Sequence, residues 1–315
     1  MQDPDANSSA QRDAVVISVN PIAGARSAQP RIERVEELLA GRGYRVETRS
    51  DLDQVAELAN GLYAQGRLHA LVGVGGDGTA AELVNRTAAG LPLAMLPAGN
   101  ENLLARHVGW GPSAEELCRT ISDGRLMRLD AGLANGRIFL LMLGCGFDAD
   151  VVHRVHGRRK GHIRSRNYFK PILESIRSYE YPELRLHGED RPRTGETDSA
   201  AQALPAVVRW LFAFNLPCYG GGLKLAPRAD GADGLLDICA FQRGSLASVL
   251  RYATAVVLRR HQRLADCTIT RVQRLTITSD REVHYQLDGD PGGTLPVDIE
   301  ALPNRVTILA PAKDW

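Results

Sequence analysis

At 315 residues, with 44% hydrophobic and 24% charged side chains, the chain has the composition of a globular protein with a real core, long enough for two domains. A formal net charge of +1 excludes any global argument for nucleic acid or membrane binding, so such a partner would have to be read from a local patch. Five cysteines (Cys118, Cys145, Cys218, Cys239, Cys267) form no CxxC pair, and each lies in or beside an apolar stretch. They read as small buried hydrophobes in a reducing compartment.

Residues 1–13 are polar and acidic, which predicts a disordered leader and not a signal peptide. The first third of the chain then alternates. Ala14–Val19 is a β-branched apolar run suited to a strand buried on both faces, and a Pro21–Gly24 turn follows it. Ile32, Val35, Leu38 and Leu39 mark a helical stripe, and Tyr44–Thr48 alternates as a strand. Asp51 is a candidate N-cap for a helix carrying Val55, Leu58 and Leu62. His69–Val74 predicts a third strand, leading into Gly75-Gly76-Asp77-Gly78-Thr79 and a helix with Leu83 and Val84. Leu93–Leu96 is a short fourth strand. This alternation predicts a doubly wound parallel sheet with ligands at the strands' C-terminal ends.

From about Arg125 strands follow one another: Leu126–Leu133, Arg137–Gly144, Val207–Phe214, Leu235–Phe241, Thr268–Thr278, Val283–Leu287 and Pro296–Leu302. Helical stretches are expected at Asn167–Arg177 and Leu246–Leu258, and His187–Ala203 reads as an exposed loop. Val306–Leu309 is a last apolar run that fits either domain. The fold class expected is therefore α/β followed by a mainly β, antiparallel domain. No apolar run is long enough to span a bilayer. A soluble, cytoplasmic protein is expected, with any membrane contact peripheral, at the inner face.

Gly73-Val74-Gly75-Gly76-Asp77-Gly78 satisfies GxGxxG, but it follows the third strand and not the first, and it carries an acid inside the turn. A carboxylate repels a pyrophosphate unless a cation lies between them. A Walker A loop is excluded, since no Lys-Ser/Thr pair follows the glycines. The pattern points to a nucleotide with Mg²⁺, the glycines admitting phosphates and Asp77 organising the metal or the acceptor. The alternative is a strand–helix turn in which Asp77 merely caps the helix. Pro97-Ala98-Gly99-Asn100-Glu101-Asn102 ends the next strand on the same edge, and Asn20-Pro21 ends the first, making a third wall.

These residues resemble the diacylglycerol kinase catalytic family, which includes sphingosine and ceramide kinases, and the match runs through nearly the whole chain. Gly75–Thr79, with Glu82 and Asn85, matches its GGDGT signature; Asn20-Pro21…Gly24 and Pro97–Asn102 match the loops beside it. Asp130, Gly146-Phe147-Asp148-Ala149, Asn215 with Gly220–Gly222, Asp233–Asp237 and Asp288-Gly289-Asp290 follow in the family's order. The resemblance implies an ATP-binding domain over residues 14–124, with a strand in 304–315 returning to it. It implies a β-sandwich-like lipid-substrate domain over 125–303. By position, Asn20, Gly75, Gly76, Asp77, Gly78, Thr79, Glu82, Asn85, Gly99, Asn100 and Asn102 would form the ATP site. Asp77 and Asp130 would serve the active-site Mg²⁺, and Asp290 would be the general base. Asp230, Asp233 and Leu235 would hold a structural Mg²⁺, and Asp148 would contact the substrate head group, unless it simply caps the helix after it.

The chain departs from the pattern at three places. Asn100 stands where the family commonly has Thr, Leu103 where it has Asp, and Asp290 where it has Glu. The resemblance thus implies a lipid kinase using ATP and Mg²⁺ on a diacylglycerol-like or sphingoid hydroxyl. Two alternatives are a kinase of NAD and a catalytically impaired lipid- or nucleotide-binding protein. Arg158–Lys170, basic with interleaved aromatics, suits an anionic membrane surface, though its composition would suit RNA or a solvated loop as well. No nucleic acid partner is expected, and an edge strand of the β domain offers a route to a homodimer.

Overall fold

The computed structural model describes residues 12–20, 25–157, 174–175, 178–190 and 203–312. Pro21, Gly24, most of Asn167–Arg177 and the basic Arg158–Lys170 stretch lie outside them. The chain divides into two compact units, Met1–Leu129 with Arg305–Trp315, and Asp130–Asn304.

The first unit alternates strand and helix: β1 (Ala14–Val19), α1 (Ala25–Ala40), β2 (Arg45–Arg49), α2 (Leu52–Ala64), β3 (Leu68–Gly75), α3 (Asp77–Arg86), β4 (Pro92–Pro97), α4 (Leu103–Val108) and α5 (Ala114–Asp123). β1 lies between β2 and β3, and β3 pairs with β4, all parallel. β1, β3 and β4 are buried almost throughout because helices cover both faces, so their sequences read as unbroken apolar runs. On one face Ile32, Val35 and Leu39 of α1 and Leu117 and Ile121 of α5 close over Val15, Ile17, Val72 and Leu96. The expected cap is present, Asp51 accepting from the amides of Asp53 and Gln54 at 3.1 and 2.9 Å. Asp13, assigned to the leader, is in fact tied down, ion-paired to Arg67 at 3.1 Å.

The strands that follow are β5 (Arg125–Ala134), β6 (Arg137–Phe139) and β7 (Met142–Cys145), then α6 (Phe147–Gly157), β8 (Leu184–Asp190), β9 (Val207–Val208), β10 (Trp210–Phe214) and β11 (Leu236–Phe241). The chain ends with α7 (Leu246–Val257), β12 (Cys267–Thr278), β13 (His284–Leu287), β14 (Asp290–Thr294) and β15 (Val297–Ala310). In the second unit β13, β7, β10, β11 and β12 pair antiparallel in that order, with β14 beyond β13. β12 pairs with β11 through its first half, and with β8 and the start of β15 through its second. Changing partners midway in this manner is how one strand serves two packed sheets. The inward-facing Leu211, Ala213, Ile238, Val272, Leu275 and Ile299 share one apolar core. The last residues of β15 belong to the first unit, where Thr307 and Ile308 pair parallel to Pro92 and Leu93 of β4.

The opposite face of β10 and β11 is aromatic. Trp210, Phe212 and Phe214 recur at the two-residue period of a strand, and Phe241 lies opposite Trp210. Phe147 of α6 meets the Trp210 ring edge-on at 5.8 Å, and Tyr252 of α7 lies 5.7 Å from the same ring and 4.6 Å from Phe241. Both helices therefore cover one face of one sheet.

Several elements differ from expectation. Arg137–Gly144 is two strands, because the amides of Leu140, Leu141 and Met142 turn to the Asp288 carboxylate at 2.7, 2.8 and 2.9 Å. Residues 187–190, read as loop, belong to β8. Asp290-Pro291-Gly292-Gly293, between the expected strands Val283–Leu287 and Pro296–Leu302, is the body of a further strand, β14, held by β13. Pro296–Leu302 and Val306–Leu309 are one strand, β15.

α7 is fastened through Asp266, which accepts from the Tyr252 hydroxyl at 2.8 Å, pairs with Arg251 and meets Arg243 at 3.1 Å. Burial raises the Asp266 carboxyl, but the hydrogen bonds from Tyr252 and Arg251 outweigh it and hold the group below its usual value. A depressed folded value stabilises the fold above the unfolded carboxyl's pKa of about 3.9, and that stabilisation is lost as pH falls through the folded one. Asp266→Asn should therefore lower Tm at neutral pH, and the deficit should shrink as pH drops below about 4. Thermal melts across pH check this, and a deficit constant with pH would contradict it.

Candidate functional site

The register of the first sheet decides what meets at its edge. Val19 pairs with Val74, and Val74 with Leu96, so Asn20, Gly75–Thr79 and Pro97–Asn102 all leave the sheet at the same end. The two glycine loops touch through bare backbone. A Cβ placed on Gly99 would lie 2.7 Å from Gly76 Cα, and the Ala98 amide donates to the Gly75 carbonyl at 2.9 Å. Gly75 is required by Thr79, whose Oγ1 would be 2.2 Å from an added Cβ. The Asn20 side chain donates to that same Oγ1 at 3.3 Å. Asn102, with φ +49°, folds back so that its side-chain oxygen accepts from the Gly99 amide at 3.0 Å and its NH₂ donates to the Gly99 carbonyl at 2.9 Å. α3 starts at Asp77 with Gly76 as N-cap and no side chain capping it, so its positive end faces the loops.

Asp77 does not cap the helix it begins. One carboxylate oxygen accepts from the Leu103 amide and the other from the Leu104 amide, both at 2.9 Å, so it caps α4, which starts 26 residues later in the sequence. Burial pushes its carboxyl up against the pull of those two amides, and Glu101 adds to the rise. The residues gathered here are Asn20, Gly75, Gly76, Asp77, Thr79, Gly99 and Asn102, with Gly78 in the first turn of α3. Glu82 pairs with Arg86 at 3.1 Å and Asn85 donates to the Ala81 carbonyl at 2.9 Å, both within α3, while Asn100 is exposed.

In the second unit, α6 lies against the β13–β14 hairpin and collects the acceptor-side candidates. Asp148, in the first turn of α6, accepts from the Tyr219 hydroxyl through one oxygen and from the Gln286 side chain at 3.0 Å through the other. Burial pushes its carboxyl up, opposed by those two hydrogen bonds. Gly144 leaves room beneath them, since a Cβ there would lie 2.6 Å from the Asp148 carboxylate and 2.7 Å from Gln286 Nε2. Asp290 opens β14 with its side chain 38% exposed, 3.5 Å from His156 Nε2 on α6. His153 of α6 stacks on His284 of β13 at 3.9 Å, and burial together with His153 pushes His284 down.

The two acids of Asp288-Gly289-Asp290 have separate jobs. Asp288 holds three amides, whereas Asp290 points to His156. Asp130 is buried, and its carboxylate accepts from the amides of Gly234 and Asn304 at 2.6 and 2.7 Å. Through Gly234 it anchors the Asp230–Leu235 loop, in which Asp233 accepts from the Leu235 amide at 3.0 Å and Asp230 from the Ala232 amide at 3.2 Å. That loop offers carboxylate and carbonyl oxygen alone, a donor set suited to Mg²⁺. Among the described residues no three His, Cys, Asp or Glu side chains gather as a metal-holding group, so a bound ion would complete its shell with water or phosphate. Sequence reasoning missed His156, Tyr219 and Gln286, and only the position of Tyr219 just before Gly220–Gly222 carried a signal.

Because Asp77 satisfies two amides, Asp77→Ala should cost the fold about 2 kcal/mol through a lost cap and unpaired donors. Urea unfolding measures it, and a change below about 0.5 kcal/mol would refute the bridging role.

Two family models match consecutive parts of the chain. "Diacylglycerol kinase catalytic domain" covers residues 14–134, and "YegS C-terminal NAD kinase beta sandwich-like domain" covers 142–310, more than half the chain. A diacylglycerol kinase of Bacillus subtilis (strain 168) is 25% identical over 307 residues, covering 94% of this chain and 95% of its own length. One from Mycobacterium tuberculosis is 29% identical over 250 residues, 77% of each chain. A crystal structure of a diacylglycerol kinase from Bacillus anthracis strain Sterne superposes with a TM-score of 0.65 over 95% of this chain and 97% of that one, at 18% identity, and shows the common fold. The chain belongs to the diacylglycerol kinase family, phosphotransferases with an alcohol group as acceptor.

Proposed function

We propose that the protein transfers the γ-phosphoryl group of ATP to the hydroxyl of a lipid alcohol of the diacylglycerol or sphingoid kind, with Mg²⁺. The observation that carries this reading is the fused pair of glycine loops at one sheet edge, where Gly76 and Gly99 leave no side chain between backbone and ligand. Phosphoryl transfer asks a protein mainly for placement and charge neutralisation. The Gly75–Thr79 turn, the uncapped start of α3, and Asn20, Asn100 and Asn102 would hold the phosphates. Bound Mg²⁺ would neutralise phosphate charge. Asp77 would contribute its remaining lone pairs to it, since a carboxylate has about four acceptor positions and two are taken.

Asp290 would take the acceptor hydroxyl's proton, its exposed carboxylate being the group on the β13–β14 hairpin not consumed by main-chain amides. Asp148 would orient the head group. Its partner Tyr219 packs on Phe212 and Phe214 at 5.6 and 6.5 Å, and a polar group set beside aromatic rings suits a hydroxyl next to apolar chains. That neighbourhood favours a lipid over NAD. The commitment of both Asp77 and both Asp130 carboxylate oxygens to amides favours, as a second reading, a protein that binds nucleotide without turnover.

Incubation with γ-labelled ATP, Mg²⁺, micellar lipids and NAD separates these readings. Asp77→Ala alone would confound catalysis with the loss of a cap, so Asp290→Ala is the informative control. Label should enter the lipid extract, and Asp290→Ala should lower kcat about 100-fold or more while leaving Tm and ATP affinity unchanged. Label in NADP would overturn the lipid reading. ATP binding with no labelled acceptor would make the non-catalytic reading correct.

A further inference from the structure

α7 is an amphipathic helix whose outward face is apolar. Its inward face, Val249, Tyr252, Ala255 and Val256, is buried over Phe241 and Trp210. At 100° per residue Leu246, Leu250 and Val257 fall within an arc of about 40°, centred about 130° from the buried face. They are 47%, 55% and 65% exposed, and Leu258, which ends the helix, is 58% exposed. These are four of the six exposed large hydrophobic residues among those described; Leu246, Leu250 and Val257 line one strip of the helix and Leu258 follows at its C-terminal end. A helix facing only water would carry polar side chains there.

The strip is collared by arginine. Residues 242–266 contain five arginines and one acid, Asp266, which is buried and already paired with Arg243 and Arg251. Arg259, Arg260 and Arg263, exposed just beyond the C-terminal end of α7, have no acid in that segment left to balance them. A second copy of the chain is a poor occupant, because a two-fold contact on this strip would set the arginine cluster against itself. A surface with an apolar interior and anionic head groups satisfies both features at once.

We propose that the outward face of α7 is a docking surface for an anionic phospholipid bilayer. The helix lies in the plane of the interface, with Leu246, Leu250, Val257 and Leu258 among the acyl chains and the arginines at the phosphates. Phe147 of α6 and Tyr252 of α7 touch the same Trp210 ring, so α6, which carries Asp148 and His156, covers the same sheet face as the docking helix. The proposal does not depend on the kinase reading, because binding is measured without ATP.

The test is co-sedimentation of the full chain with vesicles of phosphatidylcholine alone or mixed with phosphatidylglycerol. The protein should bind the mixed vesicles and not the neutral ones. Leu250→Gln/Val257→Gln and Arg259→Ala/Arg260→Ala should each weaken binding by about tenfold or more with Tm unchanged, since every altered side chain is exposed. As a second readout, Leu250→Trp should shift its emission to the blue with mixed vesicles alone. Equal binding by the variants, equal binding to neutral vesicles, or an unshifted Trp would overturn the proposal. So would sedimentation velocity showing a dimer that the Leu250/Val257 variant dissociates.

Discussion

The constraint on which the first unit's site depends is the pair of hydrogen bonds from the Leu103 and Leu104 amides to Asp77. α4 has six residues, too few to persist by propensity, and its first turn would otherwise expose unpaired amides. Asp77 supplies both acceptors from the neighbouring loop, so the glycine turn after β3 and the turn after β4 are held as one piece. The Gly76–Gly99 contact and the Asn102–Gly99 hydrogen bonds complete the joint, and a side chain at Gly99 would press on the Gly76 backbone. Burial makes the Asp77 charge costly, and the two amides recover part of that cost, so the group is committed to this geometry before any ligand arrives.

The second unit rests on a two-faced sheet. Alternation along β10 and β11 sends Leu211, Ala213, Ile238 and Ala240 into an aliphatic core and Trp210, Phe212 and Phe241 to the other side, where two helices use them as a floor. Gly144 opens space there for the polar pair Asp148 and Gln286. Asp288, accepting from three amides, bends the chain at Leu140–Met142 and ties the end of β13 to it. The same hairpin then presents Asp290 beside His156.

Much of this was legible in sequence, and most of the exceptions share a cause. β1, β3 and β4 announce themselves because burial on both faces demands unbroken apolar runs, and Asp51 marks α2 through a local hydrogen bond. α5 passed unread although Ser113 and Glu116 have capping-box spacing, and the Ser113 hydroxyl does accept from the Glu116 amide, at 3.4 Å. The split between β6 and β7, the cap on α4 and the strand character of Asp290–Gly293 are set by partners far away in the chain, which no local pattern encodes. The GGDGT loop pointed to Asp77, but its acceptor role toward α4 depends on a contact between two loops. Likewise Asp130 reads as a metal ligand by motif and is found holding the Asp230–Leu235 loop through Gly234.

Hydrogen–deuterium exchange with and without ATP and Mg²⁺ tests most directly whether the joined loops are the nucleotide site. If they are, the amides of residues 75–79 and 99–104 slow together when nucleotide is added. Protection of one loop without the other, or of neither while another surface responds, would contradict it.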